Sequence, residues 1–98
     1  MNIQKTLSGA ALTVALEGRL DTTTAPKLEE ELRGRVDGVS RRVFDLAQLE
    51  YISSAGLRVL LAMQKLMNRQ GAMLLRNVNE AVMEVFEVTG FSDILRIE

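Results

Sequence analysis

Residues Val43 to Leu61, VFDLAQLEYISSAGLRVLL, decide how this chain folds and where its chemistry sits. Val43, Phe44 and Leu46 read as a buried strand, Ala47 to Ser54 as the loop leaving it, and the apolar run from about Ser54 to Arg69 as a helix. Two adjacent serines, Ser53 and Ser54, fall at the helix start. The first backbone N–H groups of a helix have no partner within it and carry partial positive charge. The position therefore suits a hydroxyl cap or a phosphate. Ser54 is the expected N-cap, and a hydroxyl there can be cap and phosphoacceptor alike. If the chain carries a switch, it is expected here.

Towards the N-terminus, Ile3 to Leu7 and Leu12 to Leu16 alternate apolar and polar residues, and Ser8-Gly9-Ala10 between them reads as the turn of a hairpin. Gly18 is expected to break the second strand. Leu20 to Thr24 then offers several caps ahead of Ala25-Pro26, where a first-turn proline costs no hydrogen bond. Ala25, Leu28, Leu32 and Val36 share one stripe of the helix that follows, and Glu29/Arg33 and Glu31/Arg35 are i,i+4 pairs. Gly34 weakens its end and Asp37-Gly38 closes it. Arg41-Arg42 reads as the solvated start of the next strand.

The helix from Ser54 is apolar around most of its circumference. Leu57, Leu60, Leu61 and Met67 make one stripe and Val59, Met63 and Leu66 a second. The second is either core beneath the final segment or a surface presented to a partner. Ala72 to Leu75 is a short strand, and Asn79 caps a third helix with Val82, Val85 and Phe86 inward. Thr89-Gly90 stops it, and Phe91 to Ile97 reads as a further helical turn or two and a tail. The five methionines suit core filling or an adaptable binding surface.

The order β-β-α-β-α-β-α specifies an α/β fold. A small mixed, mainly parallel four-stranded sheet is expected, with an N-terminal β-hairpin and three to four covering helices. Ligands and partners of such sheets collect at the carboxyl ends of the strands, and the loop from Ala47 to Ser54 is one such end.

Ninety-eight residues are read as one domain, residues 1–98, burying roughly 60–68% of the surface its unfolded chain would expose. With 47% hydrophobic and 26% charged residues the composition is that of a folded domain. A net charge of −1, one tyrosine and three phenylalanines leave neither a basic footprint nor stacking rings for nucleic acid. No apolar run reaches the ~20 residues that cross a bilayer, so direct membrane insertion is not expected. The absence of cysteine fits a reducing compartment, and a cytoplasmic location is expected. Without histidine or cysteine, no Ser-His-Asp or Cys-His arrangement can be built, and no phosphate-loop motif is present. Carboxylates are spread along helices or paired with arginines. An enzyme, a metal and a cofactor are not expected.

Three spaced segments resemble the STAS domains, the family of sulphate transporters and anti-sigma factor antagonists. Val43-Phe-Asp-Leu followed by Tyr51-Ile-Ser-Ser-Ala-Gly-Leu57 is similar to the family's strand and helix start. Gly18-Arg-Leu-Asp21 with Ala25 and Leu28 is similar to its G-x-L-D segment, and Thr89-Gly-Phe91 to its TGL/F near the C-terminus. The resemblance covers nearly all of the chain. It implies an anti-anti-sigma factor of a bacterial partner-switching pathway. Such a protein binds an anti-sigma factor that is also a serine protein kinase, is phosphorylated by it at this helix start and released, and is reset by a PP2C-type phosphatase.

One departure stands out. In the antagonists that define the pathway the phosphorylated serine immediately precedes Gly-Leu, with an acidic residue two positions before it. Here Ala55 precedes Gly56-Leu57, and Ser53 takes the acidic position. A shift of one residue moves a hydroxyl by about 3.8 Å, which leaves Ser54 as the expected acceptor and Ser53 as the second. The partner surface implied by the resemblance comprises Asp21 and Thr22, then Tyr51 with Ser53, Ser54, Ala55, Gly56, Leu57 and Arg58. Asp21 is as well suited to cap the turn through Thr22–Thr24. Ala55 keeps a second reading open: a STAS subunit that is not phosphorylated and serves as a structural or regulatory partner of a membrane transporter complex.

Overall fold

The computed structural model describes residues 1–33 and 38–98. Four strands, β1 (Asn2–Ser8), β2 (Ala11–Leu20), β3 (Arg41–Ile52) and β4 (Ala72–Arg76), form one sheet in sequence order. β1 and β2 are the expected antiparallel hairpin, turning at Gly9 with φ +61°. The two later pairings are parallel. Three helices, α1 (Ala25–Arg33), α2 (Ser54–Gln70) and α3 (Glu80–Thr89), and a 3-10 turn at Phe91–Asp93 complete the fold.

Alternation in the strands decides which face is buried. Leu12, Val14 and Leu16 of β2 pair into one layer with Phe44 of β3 and Leu75 of β4. Against it lie Leu28 and Leu32 of α1, Leu57, Leu60 and Met67 of α2, and Val82 and Phe86 of α3. The predicted stripe of α1 is confirmed at Ala25, Leu28 and Leu32; Val36, the Arg35 partner predicted for Glu31, and Gly34 and Asp37 at the helix end lie outside the described residues. Among the described residues, Lys5 of β1 pairs with Glu31, and Arg33 pairs with Glu29 at 3.3 Å.

Three local expectations are corrected. Gly18 does not end β2. The strand continues to Leu20, with register shifts against β3 on both sides of a glycine at φ +105°. A residue without a side chain absorbs the irregularity as a bulge, and pairing resumes. The span Ala47–Ile52 is strand rather than loop, so β3 runs twelve residues almost into α2. Its interior positions Leu46, Leu49 and Ile52 stay buried through that irregularity. Arg42, expected in solvent, is fully buried beside exposed Arg41, because the pleat turns it to the core layer between Leu12 and Met73. Its Nη1 donates to the Met63 sulfur at 2.9 Å, and burial lowers the guanidinium pKa.

The second stripe of α2 is core at Val59 and Met63 and half-buried at Leu66, and α2 packs on α1, β3 and β4. Gly71 ends α2 where a β-carbon would lie 1.8 Å from the Ser40 carbonyl oxygen, so only glycine allows the entry into β4. Gly90 ends α3 in the left-handed region, as Thr89-Gly90 indicated. The tail holds one 3-10 turn and then pairs in parallel with β4 at Leu75↔Ile97.

Candidate functional site

The corner that matters forms where β2 and β3 end together. Leu20 and Ile52 are partners in the parallel register, and the Ser53 amide donates to the Leu20 carbonyl at 2.8 Å. Ser53 is thereby held extended, at φ −99° and ψ 175°, and its Oγ accepts from the Gly56 amide at 3.3 Å. Ser53, not Ser54, is the N-cap. The strand continues to Ile52, so the single non-helical residue before α2 is Ser53 and its side chain meets the orphan amide.

Ser54 is the first residue of α2. It is exposed, and among the described residues its side chain makes no hydrogen bond. The two hydroxyls are thus separated by one residue and by role: Ser53 is committed to the backbone and Ser54 faces solvent. Ala55 is half-buried. Gly56 and Leu57 are buried and build the corner from inside. A β-carbon at Gly56 would lie 2.7 Å from Leu20 Cγ and 2.9 Å from Ile52 Cγ1, so glycine lets α2 close on both strand ends.

The second strand end delivers Asp21 and Thr22 to the same corner. Asp21 Oδ1 accepts from the amides of Thr23 at 3.0 Å and Thr24 at 3.1 Å, while its carbonyl accepts from Ala25 at 2.8 Å. Thr24 Oγ1 donates back to the Arg19 carbonyl at 2.7 Å. Asp21 is thus the cap of the turn into α1. The Thr24 amide holds its carboxyl below the ordinary 3.8, partly opposed by desolvation and aided by the Thr23 amide, the Thr24 hydroxyl and Arg19. Thr22 remains exposed.

Arg19 was not among the predicted site residues. It pairs with Tyr51 in the register, and its guanidinium lies 4.3 Å from the Tyr51 ring centroid and 3.9 Å from Asp21 Oδ2. Tyr51 keeps 40% of its surface. The signal was legible in Gly18-Arg-Leu-Asp21, but only once β2 is known to pass Gly18. Between α1 and α2 lies an open groove of about 380 Å3, lined by Thr22, Pro26, Glu29, Ala55, Arg58 and Val59 among others. Of the predicted site residues, Thr22, Ala55 and Arg58 line this groove together, and Arg19 links Tyr51 to Asp21. Among the described residues, no group of three or more acidic side chains is placed to hold a metal, and no helix is long and apolar enough to cross a membrane.

Comparison with known proteins agrees with this architecture. The family model described as "Mlab, STAS domain" matches residues 3–96. A Bordetella bronchiseptica protein whose name gives it as the anti-sigma factor antagonist BtrV is 43% identical over 88 residues, covering 88% of this chain and 76% of its own. The anti-sigma-B factor antagonist of Listeria monocytogenes is 34% identical, covering 87% and 76%. Among solved structures, the Bacillus cell fate determinant SpoIIAA in its phosphorylated form superposes with a TM-score of 0.78 at 16% identity, covering 99% of this chain and 91% of that one.

Proposed function

The chain belongs to the STAS domain family, and on that premise we propose that it is an anti-sigma factor antagonist switched by phosphorylation of Ser54. Its relatives by sequence carry the name of anti-sigma factor antagonist. In this reading the partner is an anti-sigma factor with serine-kinase activity, which docks on the corner formed by Thr22, Tyr51, Ser54 and Arg58. The kinase transfers the γ-phosphoryl of ATP to Ser54 Oγ, the hydroxyl proton leaves to solvent and ADP departs. A PP2C-type phosphatase hydrolyses the ester and restores the hydroxyl.

The observation that carries the reading is the division of labour between the serines. Ser53 is taken up by the Gly56 amide, whereas Ser54 projects from the helix start without a partner among the described residues. A phosphate there adds roughly −1.5 to −2 charges at a helix N-terminus, which the dipole favours. The fold is expected to stay as it is. The cost falls on a partner surface complementary to a neutral hydroxyl, and about 3 kcal/mol of lost complementarity weakens binding about a hundredfold.

Incubation with the cognate kinase and ATP, followed by mass spectrometry of the peptide around Ser53 and Ser54, tests this directly. A phosphate on Ser54 is expected, with Ser54→Ala unmodified and still bound, and Ser54→Asp released. The absence of any mass shift overturns it. Ala55, at the position where the pathway's antagonists carry their acceptor, favours the second reading in that event: a STAS subunit that partners a membrane transporter complex without phosphorylation. Co-purification with transporter subunits would then be expected in place of a kinase.

A further inference from the structure

The charge pattern of α2 sets it apart from α3. α3 begins with Glu80, whereas α2 has no acidic residue in its first turn and carries Arg58 at its fifth position. Arg58 lies just past the first turn, where the helix dipole gives a cation no stabilisation. It is exposed, and among the described residues its side chain makes no ion pair or hydrogen bond.

Arg19, Asp21 and Glu29, near the same corner, are engaged. Arg19 is stacked on Tyr51 and lies beside Asp21. Asp21 is bound to the turn amides. Glu29, which lines the groove with Arg58, pairs with Arg33 at 3.3 Å. Ser54 and Arg58 stand at i and i+4 on α2, a spacing that brings side chains to within about 5–6 Å at their β-carbons.

We propose that Arg58 is the intramolecular partner of phosphorylated Ser54, its guanidinium closing on the phosphate along one face of α2. The inference rests on the assignment of Ser54 as acceptor. A guanidinium fork matches two phosphate oxygens, giving charge-assisted hydrogen bonds without movement of the backbone. Phosphorylation then changes the corner twice. It adds a dianion, and it draws the Arg58 side chain out of the groove between α1 and α2, where an approaching partner would otherwise meet it. Arg58 acts here as a positioning residue for the switched state.

The test installs phosphoserine at position 54 during translation, so it does not depend on any kinase, and follows the phosphate by 31P NMR through its second ionisation near pH 6. A unit cation about 6 Å away through solvent lowers that ionisation by about half a unit, roughly a threefold change in the proton-dissociation constant. Phosphorylated Arg58→Gln is expected to titrate about half a unit above phosphorylated wild type, and Arg58→Lys, with a charge but no fork, to restore only part of the difference. In parallel, the side-chain Nε resonance of Arg58 is expected to move between the unmodified and phosphorylated wild-type proteins, a readout that needs no variant to fold. Equal titration of wild type and Arg58→Gln, or an Arg58 resonance indifferent to phosphorylation, overturns the inference. Failure of the kinase to modify Ser54 overturns the functional reading instead, and the two outcomes are separate measurements.

Discussion

The hydroxyl of Ser53 accepts the backbone N–H of Gly56 at 3.3 Å, closing the first turn of α2 from the residue just before Ser54. Removing that acceptor leaves an orphan amide, so Ser53→Ala is expected to lower stability by about 1 kcal/mol. In a domain of this size that corresponds to a fall of roughly 4–8 °C in Tm. Ser54→Ala, at an exposed site without a bond, is expected within about 0.5 kcal/mol of wild type. Thermal unfolding of the two variants side by side checks the assignment of cap and acceptor; equal losses contradict it.

Gly56→Ala places a β-carbon 2.7 Å from Leu20 Cγ and 2.9 Å from Ile52 Cγ1, both in the core. Overpacking of this kind costs about 1–3 kcal/mol. The helix start must back away from the strand ends, so partner affinity is expected to fall beyond what the lost stability explains. Urea unfolding combined with a binding titration on the folded protein separates the two effects.

Asn79 holds two elements at once: its Nδ2 donates to the Leu49 carbonyl at 2.5 Å and its Oδ1 accepts from the Val82 amide at 2.9 Å. Asn79→Ala therefore loses a helix cap and leaves a strand carbonyl without its donor. A cost of about 2 kcal/mol is expected, larger than that of Ser53→Ala. Chemical denaturation of both variants decides the order.

Arg42→Ala empties a fully buried site beside Met63 and is expected to cost about 2–5 kcal/mol, in the range of other large-to-small core changes. Arg41→Ala, one residue away and exposed, is expected to cost under about 0.5 kcal/mol. Their unfolding midpoints should differ clearly; similar midpoints would place Arg42 in solvent.

The carboxyl of Asp21 is held below its ordinary 3.8 in the folded chain, chiefly by the Thr24 amide. A depressed carboxylate contributes stability that is fully present above the unfolded value and lost as pH falls through the folded one. The turn into α1 is therefore expected to loosen below about pH 4 and to be insensitive near neutrality. In Asp21→Asn this part of the acid limb should disappear, as measured by unfolding midpoints between pH 2 and 6.

The order of the elements along the chain, the hairpin, the stripe of α1 at Ala25, Leu28 and Leu32 and the cap at Asn79 follow from patterns that act over a few residues, and these were legible. What escaped was long-range. Gly18 carries the local signature of a strand breaker, yet cross-strand pairing with β3 holds the chain extended on either side of it. The residues Ala47 to Ile52 mix exposed polar and buried apolar positions irregularly, because a register shift interrupts the alternation that marks a strand. Arg42 is charged by sequence and buried by pleat. At the site, Ser53 and Ser54 could not be told apart until the length of β3 fixed which of them stands outside the helix. Arg19 came to Tyr51 only through the parallel register, which no spacing along the chain records.

The pairing of Ile97 with Leu75 has a consequence for assembly. Backbone bonds from Leu75 to Arg96 and from Glu98 to Leu75 take up part of the outer hydrogen-bonding row of β4. β1 forms the opposite border of the sheet, with no strand beyond it among the described residues. Among the described residues the sheet is therefore asymmetric as a template: β4 is partly covered by the tail, whereas an incoming extended segment meets β1 along Asn2–Ser8, with Lys5 in the middle of that border.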